Sequence, residues 1–451
     1  MKRLMALPAL AALCTLAAPL QAQTPPPPVT LIQNVRIFDG SGSALSAPSQ
    51  VLVRGNRIER IAPASAALER PAGATIIDGG GRTLMPGLID MHWHTMLVRP
   101  RHADLLTIDV GYLNLLAGAE AGATLMRGFT TVRDMGGPAF GLKRAIDEGT
   151  LAGPRIYPSG ATISVTSGHG DFRLPFELPR VIGAPQSRGE QVGAAMIADS
   201  PDEVRVRVRE QLLQGATQIK LTAGGGVASP NSPLDAITFN ESELRAAVEA
   251  AENWGTYVTV HAYTPLSIRR AVAAGVRNIE HGHLMDEASA RLMAEKGIWL
   301  SMQPFPDEMA DAFRPGSVER VKALQVFEGT DRTYKLAKQY GIKTAFGTDI
   351  LFSTALAQRH GEVLAKLTRW YTPAEALAMA TGTNAQLLAL SGLRNPYPGK
   401  LGVVAEGALA DLLLVDGNPL ENIRLIEDPG RNFVIIMKDG KVYKNTLAKA
   451  P

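Results

Sequence analysis

The sequence predicts an α/β protein: a (β/α)8 barrel of the TIM type carrying a small β-sandwich assembled from both terminal segments. Three observations predict it. Between about 85 and 390, short β-rich runs alternate with capped helical stretches, the pattern of parallel strands joined by crossover helices. Alternating runs with hairpin turns occupy both ends of the chain, each set too small to stand alone. Six residues able to bind a metal, His92, His94, Lys220, His261, His281 and Asp349, each close one of the central runs.

The chain has 451 residues, 45% hydrophobic and 20% charged, enough for a large barrel with an appendage and a sizeable core. Residues 1–22 read as a secretory signal: Lys2 and Arg3 are basic, 4–20 are apolar, and Gln21-Ala22 ends on a small residue. Pro8 and Pro19 interrupt a run already short for a membrane span, so export is expected, with no membrane association after the leader is removed. The formal net charge of +3 falls to +1 once Lys2 and Arg3 leave with it, which argues against a nucleic-acid partner. The only cysteine, Cys14, lies in that segment, so no disulfide is expected in the mature chain. Residues 25–28 are prolines and form a stiff spacer.

The N-terminal part of the sandwich, 23–84, holds strand-like runs at 30–32, 35–37, 51–54 and 57–61, with Gly55-Asn56 as a hairpin turn. In the central unit, 85–390, candidate strands fall at 88–91, 130–133, 156–159, 218–221, 256–260, 276–280, 298–302 and 343–346, the eight that close a barrel. Asn240 with Glu243 makes a capping box, Thr264-Pro265 opens the next helix, and Gly255, Gly275 and Gly297 end three helices. The C-terminal part, 391–451, returns to strands at 410–415 and 434–443, with a turn at Asp439-Gly440.

In such barrels chemistry lies at the carboxyl ends of the strands, where all six candidate ligands fall. His92-Trp93-His94 puts two imidazoles on one face of a strand, a weak signal alone that gains weight from the later histidines and Asp349. Imidazoles and a carboxylate converging on one point suit Zn²⁺ or a similar divalent ion, and a site that keeps water as a ligand is hydrolytic.

Met85-Pro86-Gly87-Leu88-Ile89-Asp90-Met91-His92-Trp93-His94, Ile219-Lys220, Val260-His261-Ala262, Ile279-Glu280-His281-Gly282 and Gly347-Thr348-Asp349 resemble the signature set of the amidohydrolase superfamily, across essentially the whole mature chain. Within it, Lys220 implies the two-metal subtype, in which the lysine carries a CO₂-derived carbamate that bridges both ions. The resemblance assigns His92, His94 and Asp349 to a buried ion and His261 and His281 to a more exposed one. Two cations about 3.5 to 4 Å apart share a water and yield hydroxide. Asp349 would take its proton and pass it to the leaving amine.

Tyr263 and His169, the latter in Ser167-Gly168-His169-Gly170-Asp171, resemble the subgroup that hydrolyses Xaa-Pro and related C-terminal amides, and the ochratoxin-hydrolysing amidohydrolases. Tyr263 would donate to the forming oxyanion or else pack the barrel rim, and His169 would meet the substrate or else fix its loop. His283 is read as supporting the ligands, while His102 and His360 lack ligand-like context. Gly224-Gly225-Gly226 is read as a tight turn near the metal, and Met302, Phe305 and Met309 either line an apolar pocket or pack in the core. An apolar pocket would suit an aromatic amide.

The resemblance therefore implies a small-molecule amide substrate, from which a C-terminal amino acid is released: a dipeptide, an N-acyl amino acid, or an aroyl amino acid such as ochratoxin A. Hydrolysis of a cyclic amide or lactone is the alternative, and a non-catalytic exported binding protein a third reading. A homo-oligomer is also implied.

Overall fold

The computed structural model describes residues 27–68, 70–180, 185–229, 231–305, 309–310 and 313–447; the expected leader and Cys14 lie outside the described residues. The chain folds as a TIM-like barrel with a separate mixed sheet built from both terminal segments.

The barrel strands are parallel. The first three are Leu88–Trp93, Phe129–Asp134 and Arg155–Pro158. The fourth to eighth are Ile219–Thr222, Val258–Ala262, Asn278–His281, Trp299–Met302 and Thr344–Phe346, laddered in sequence order. The third strand differs from a single run over 156–159. The chain breaks step after Pro158 and resumes as Thr162–Ser164, which pairs with the fourth strand and with a short extra strand, Ala195–Ile197. At the break the Gln211 Oε1 accepts from the Ala161 N–H at 2.9 Å.

Side chains reinforce two seams of the barrel that also carry backbone bonds, Asp349 N to His92 O at 2.7 Å and Thr217 N to Pro158 O at 2.9 Å. Between the eighth and first strands, Asn384 Nδ2 donates to the carbonyls of Ile89 and Phe346, both at 2.8 Å, and its Oδ1 accepts from Phe346 N at 2.9 Å. Between the third and fourth, Gln218 Nε2 donates to Tyr157 O at 2.9 Å and Ser159 Oγ at 3.0 Å. Both amides are fully buried, so satisfying them is obligatory, and an apolar replacement would leave backbone groups unpaired as well.

Helices cover the outside. Asn240 caps Glu241–Glu252 by accepting from Glu243 N at 3.0 Å, while the Glu243 carboxylate accepts from Asn240 N at 2.8 Å. Leu244 on that helix is fully buried, a burial worth roughly 1.5 to 3 kcal/mol. No described helix is long and apolar enough to cross a membrane.

In the second sheet the strand Val29–Ile37 is shared. Its first half pairs with Ser49–Arg54 and Thr75–Asp78, its second half with Thr83–Pro86. Thr83–Pro86 then pairs antiparallel with Leu412–Val415, which leads to Phe433–Lys438 and Lys441–Asn445. The turns fall at Gly55-Asn56 and Asp439-Gly440. Ile32, Val51, Ile58, Leu412, Leu414 and Ile435, all buried, make its core. Arg155 fastens the barrel to it through Asp411 at 2.8 Å and Asp439 at 2.6 Å.

Candidate metal centre

All six expected ligands line one 620 Å³ cavity at the carboxyl ends of the barrel strands. His92 lies within the first strand and His94 just past it; Lys220, His261 and His281 lie in the fourth, fifth and sixth strands; Asp349 follows the eighth. Ligand atoms of His92, His281 and Asp349 fall within 4.8 Å of one another. Asp349 Oδ1 is 3.3 Å from His92 Nε2 and 3.2 Å from His94 Nε2. The His261 and His281 rings are 4.4 Å apart, and His281 is 4.8 Å from His92, so His281 is the member of the second expected pair that lies beside the first.

Two of these residues sit on strained backbone: His281 has φ +75° and Asp349 φ +55°, the left-handed region that non-glycine residues rarely occupy. Gly347 permits the approach of the Asp349 loop to the first strand, because a Cβ there would lie 2.6 Å from His92 Cβ.

The outer nitrogen of each histidine is fixed. His92 Nδ1 meets Glu280 Oε2 at 2.9 Å; His94 Nδ1 meets Gly136 O at 3.2 Å; His261 Nε2 meets Gly225 O at 2.9 Å; His281 Nδ1 meets Gln303 Oε1 at 2.7 Å. Each acceptor requires an N–H on that nitrogen, which leaves a lone pair on the other. The inward lone pairs are therefore His92 Nε2, His94 Nε2, His261 Nδ1 and His281 Nε2, the donor set that a divalent cation uses.

The support beneath is dense. Glu280 Oε1 also accepts from Arg133 Nη2, Thr259 Oγ1 and Asn278 Nδ2, each at 2.5 Å, and Arg133 and Glu280 are both fully buried. Arg133 in turn donates to Met91 O at 2.7 Å and Tyr257 Oη at 2.9 Å. Asp90 accepts four bonds: His92 N at 2.8 Å, Thr348 N at 3.2 Å, Thr348 Oγ1 at 2.6 Å and His360 Nε2 at 2.8 Å. It thereby ties the first strand to the loop that carries Asp349. His360 is itself sandwiched between Phe129, with ring centroids 3.4 Å apart, and Trp93, at 4.6 Å.

The electrostatics of the six expected ligands are set mainly by burial. Burial, then neighbouring Lys220, holds His92 well below the usual histidine range; burial also depresses His261 and His281, so these rings are neutral near pH 7. Burial is the largest influence on His94 and lowers it, but the hydrogen bond and charge of Asp349 together with the charge of Asp134 outweigh it, and the net shift is upward. Burial pushes the Lys220 ammonium down to about 8, with Glu280 and Asp349 opposing, and so enlarges the share of neutral amine. Burial pushes His169 down to about 3 and Tyr263 well above the phenol range, so Tyr263 keeps its proton.

Both His169 and Tyr263 line the cavity. Their rings lie 4.4 Å and 4.6 Å from that of His261, and His169 Nδ1 meets Ser229 Oγ at 2.8 Å. Phe305 and Met309 line it as well, whereas Met302 belongs to the core. His283 is buried behind Phe305, its Nε2 on Gln303 O at 3.0 Å. The mouth is largely aromatic, with Phe172, Phe305, Phe313, Phe327 and Phe352 in the wall. His102 joins that wall, against Phe172 at 5.6 Å and Phe352 at 4.9 Å, a place that sequence context did not suggest.

Sequence reading also missed Glu280, Gln303 and the Gly225 carbonyl as the partners that orient His92, His281 and His261. Glu280 stands in Ile279-Glu280-His281-Gly282, and its signal was a carboxylate directly beside an expected ligand within a strand. Gln303 had no comparable signal.

A model of the amidohydrolase family matches residues 83–444. Ochratoxinase of Aspergillus niger is 33% identical over 383 residues, covering 80% of this chain and 75% of the relative. A crystal structure of A. niger ochratoxinase aligns with TM-score 0.81 and 27% identity, over 94% of this chain and 97% of that one. A prolidase solved with N-methylphosphonate-L-proline aligns with TM-score 0.84 and 35% identity, over 93% of this chain and 100% of the other.

Proposed function

The chain belongs to the amidohydrolase family, an enzyme family acting on amide bonds, and from that premise we propose a binuclear metal-dependent hydrolase that releases a C-terminal amino acid. Its substrates in this reading are dipeptides and N-acyl or aroyl amino acids, ochratoxin A among them. The likeness to ochratoxinase and to a prolidase supports that class, and so does the aromatic cavity wall.

One observation carries the reading: four histidines, each tied by its outer nitrogen, aim their other nitrogens into the cavity that Lys220 and Asp349 share. That donor set fits two divalent ions, zinc in this proposal, with His92, His94 and Asp349 assigned to one and His261 and His281 to the other. When bound, such ions acidify water and polarise a carbonyl. Lys220 would take up CO₂ at its neutral amine, giving a carbamate and a released proton, and that carbamate would help to hold the ions. Asp349 receives a proton from water and returns it to the leaving amine. Tyr263 donates its hydroxyl hydrogen to the developing oxyanion, and His169 contacts the substrate beside it. The wall excludes water around an apolar acyl group.

A panel of dipeptides, N-acetyl and N-benzoyl amino acids and ochratoxin A tests this by the free amino acid released. Release should vanish with a chelator and return with Zn²⁺ and bicarbonate. Release from no member of the panel by the metal-loaded protein would sink the proposal, and turnover of cyclic amides or lactones alone would redirect it. Export through the 1–22 leader and homo-oligomer assembly complete the proposal, to be checked by N-terminal sequencing and by mass in solution.

A further inference from the structure

A buried lysine outside the ligand set sits where it can govern two of the rings. Lys322 lies on the helix Val318–Tyr340 and is only 7% exposed. Its ammonium donates to three carbonyls, Gly226 O at 3.3 Å, Ser229 O at 2.9 Å and Ser232 O at 2.7 Å. Glu319, three residues earlier on the same helix, acts favourably on its charge, but no contacting ion pair is made with it among the described residues. A lysine has three N–H groups, and here each has one acceptor. Burying a charge without a contacting counter-ion is costly unless such bonds are made, so the arrangement calls for a reason beyond packing.

All three acceptors belong to the loop that follows the fourth strand. Gly225 O, on the peptide preceding the Gly226 carbonyl, accepts from His261 Nε2. Ser229 meets His169 Nδ1 with its hydroxyl and Lys322 with its carbonyl. Gly226 packs so closely on His169 that a Cβ would lie 2.1 Å from Nδ1. The same loop presents Val227 and Ala228 to the cavity, and the same helix presents Ala323 and Phe327. One ammonium thus joins a helix of the substrate wall to the loop that sets two imidazoles.

We propose that Lys322 is a positioning residue: by holding the loop after the fourth strand, it fixes His261 and His169 in the orientation that hydrolysis uses. This rests on the reading of the site given above. The ammonium never meets the substrate in this arrangement. Its influence runs through Gly225 O to His261 and through Ser229 to His169.

The test compares wild type, Lys322→Met, Ser229→Ala and the double variant as full-length, metal-loaded proteins. Lys322→Met should lower kcat for the preferred acyl amino acid at least thirtyfold with KM changed less than threefold. With Co²⁺ in place of the native ions, its visible absorption bands should shift, because His261 turns. Since Ser229 lies on Lys322's route to His169, the double variant should lose no more kcat than Lys322→Met alone. A kcat within threefold of wild type, an unchanged cobalt spectrum, or losses that multiply in the double variant would each overturn the inference. Lys322→Gln, which keeps donor hydrogens among the same carbonyls, takes the place of Lys322→Met should the latter not fold, with an intermediate loss expected. An inactive wild type would fail the reading of the site, and the cobalt spectra would still decide the role of Lys322. An active wild type matched by Lys322→Met would fail the inference alone.

Discussion

Below the six expected ligands the two buried carboxylates are each held by four hydrogen bonds; above them, at the mouth, the wall is mostly carbon. Asp90 accepts four hydrogen bonds and Glu280 four, both out of reach of solvent, while Phe172, Phe305, Phe313, Phe327 and Phe352 face the open end. The difference teaches a division of labour. A carboxylate held by four donors admits one geometry, so the floor defines where a reaction can occur. Apolar contact is non-directional, so the mouth grades substrates without redefining the chemistry.

The comparison breaks most visibly at Asp349. Asp349→Asn should lower kcat by about 10³-fold on every substrate while retaining most of the bound metal, because the amide still offers an oxygen but cannot shuttle the proton. Metal analysis beside steady-state kinetics checks this, and near-normal kcat would remove Asp349 as the base. Next comes Glu280→Gln. It leaves Arg133 buried without its counter-charge and weakens the hold on His92, so metal affinity should fall about 10- to 100-fold and stability by about 3 kcal/mol. Chelator competition and urea unfolding measure the two, and the loss of rate should be uniform across substrates.

A mouth substitution should behave in the opposite way. Phe327→Ala or Phe305→Ala is expected to raise KM about tenfold for aromatic acyl groups and to leave acetyl substrates and kcat nearly unchanged. A uniform fall in kcat would show that floor and mouth are not separable. The mildest probe is pH. Burial pushes His360 down to about 4, with its Asp90 bond opposing, against an ordinary value of 6.5. As pH falls below 6.5 the unfolded chain takes this proton first, so the stability present above 6.5 should drain away between 6.5 and about 4. The urea midpoint should therefore drop on acidification, and less steeply in His360→Gln. Equal slopes would assign the effect to other groups.

How much of this was legible beforehand follows from where the determinants lie. The barrel strands and their ligands were readable because each ligand ends a local apolar run, a pattern confined to a few residues. The break in the third strand was not: Gln211, which meets Ala161 there, lies on a later helix. The partners of the ligands were hidden for the same reason: Glu280 and His92 are 188 residues apart, and Lys322 and Gly226 are 96. His102 looked ordinary because its importance comes from Phe172 and Phe352, which only the fold brings beside it.

The Asn384 stitch carries a consequence for how the chain reaches this state. Ile89 and Asn384 are separated by 295 positions, so while a ribosome is still making the intervening sequence the barrel stays an open sheet with two raw borders. Such borders invite pairing with a second nascent chain. Shutting the ring is thus a late event in synthesis, since it waits both for the Asp349 segment, whose N–H meets His92 O at 2.7 Å, and for Asn384.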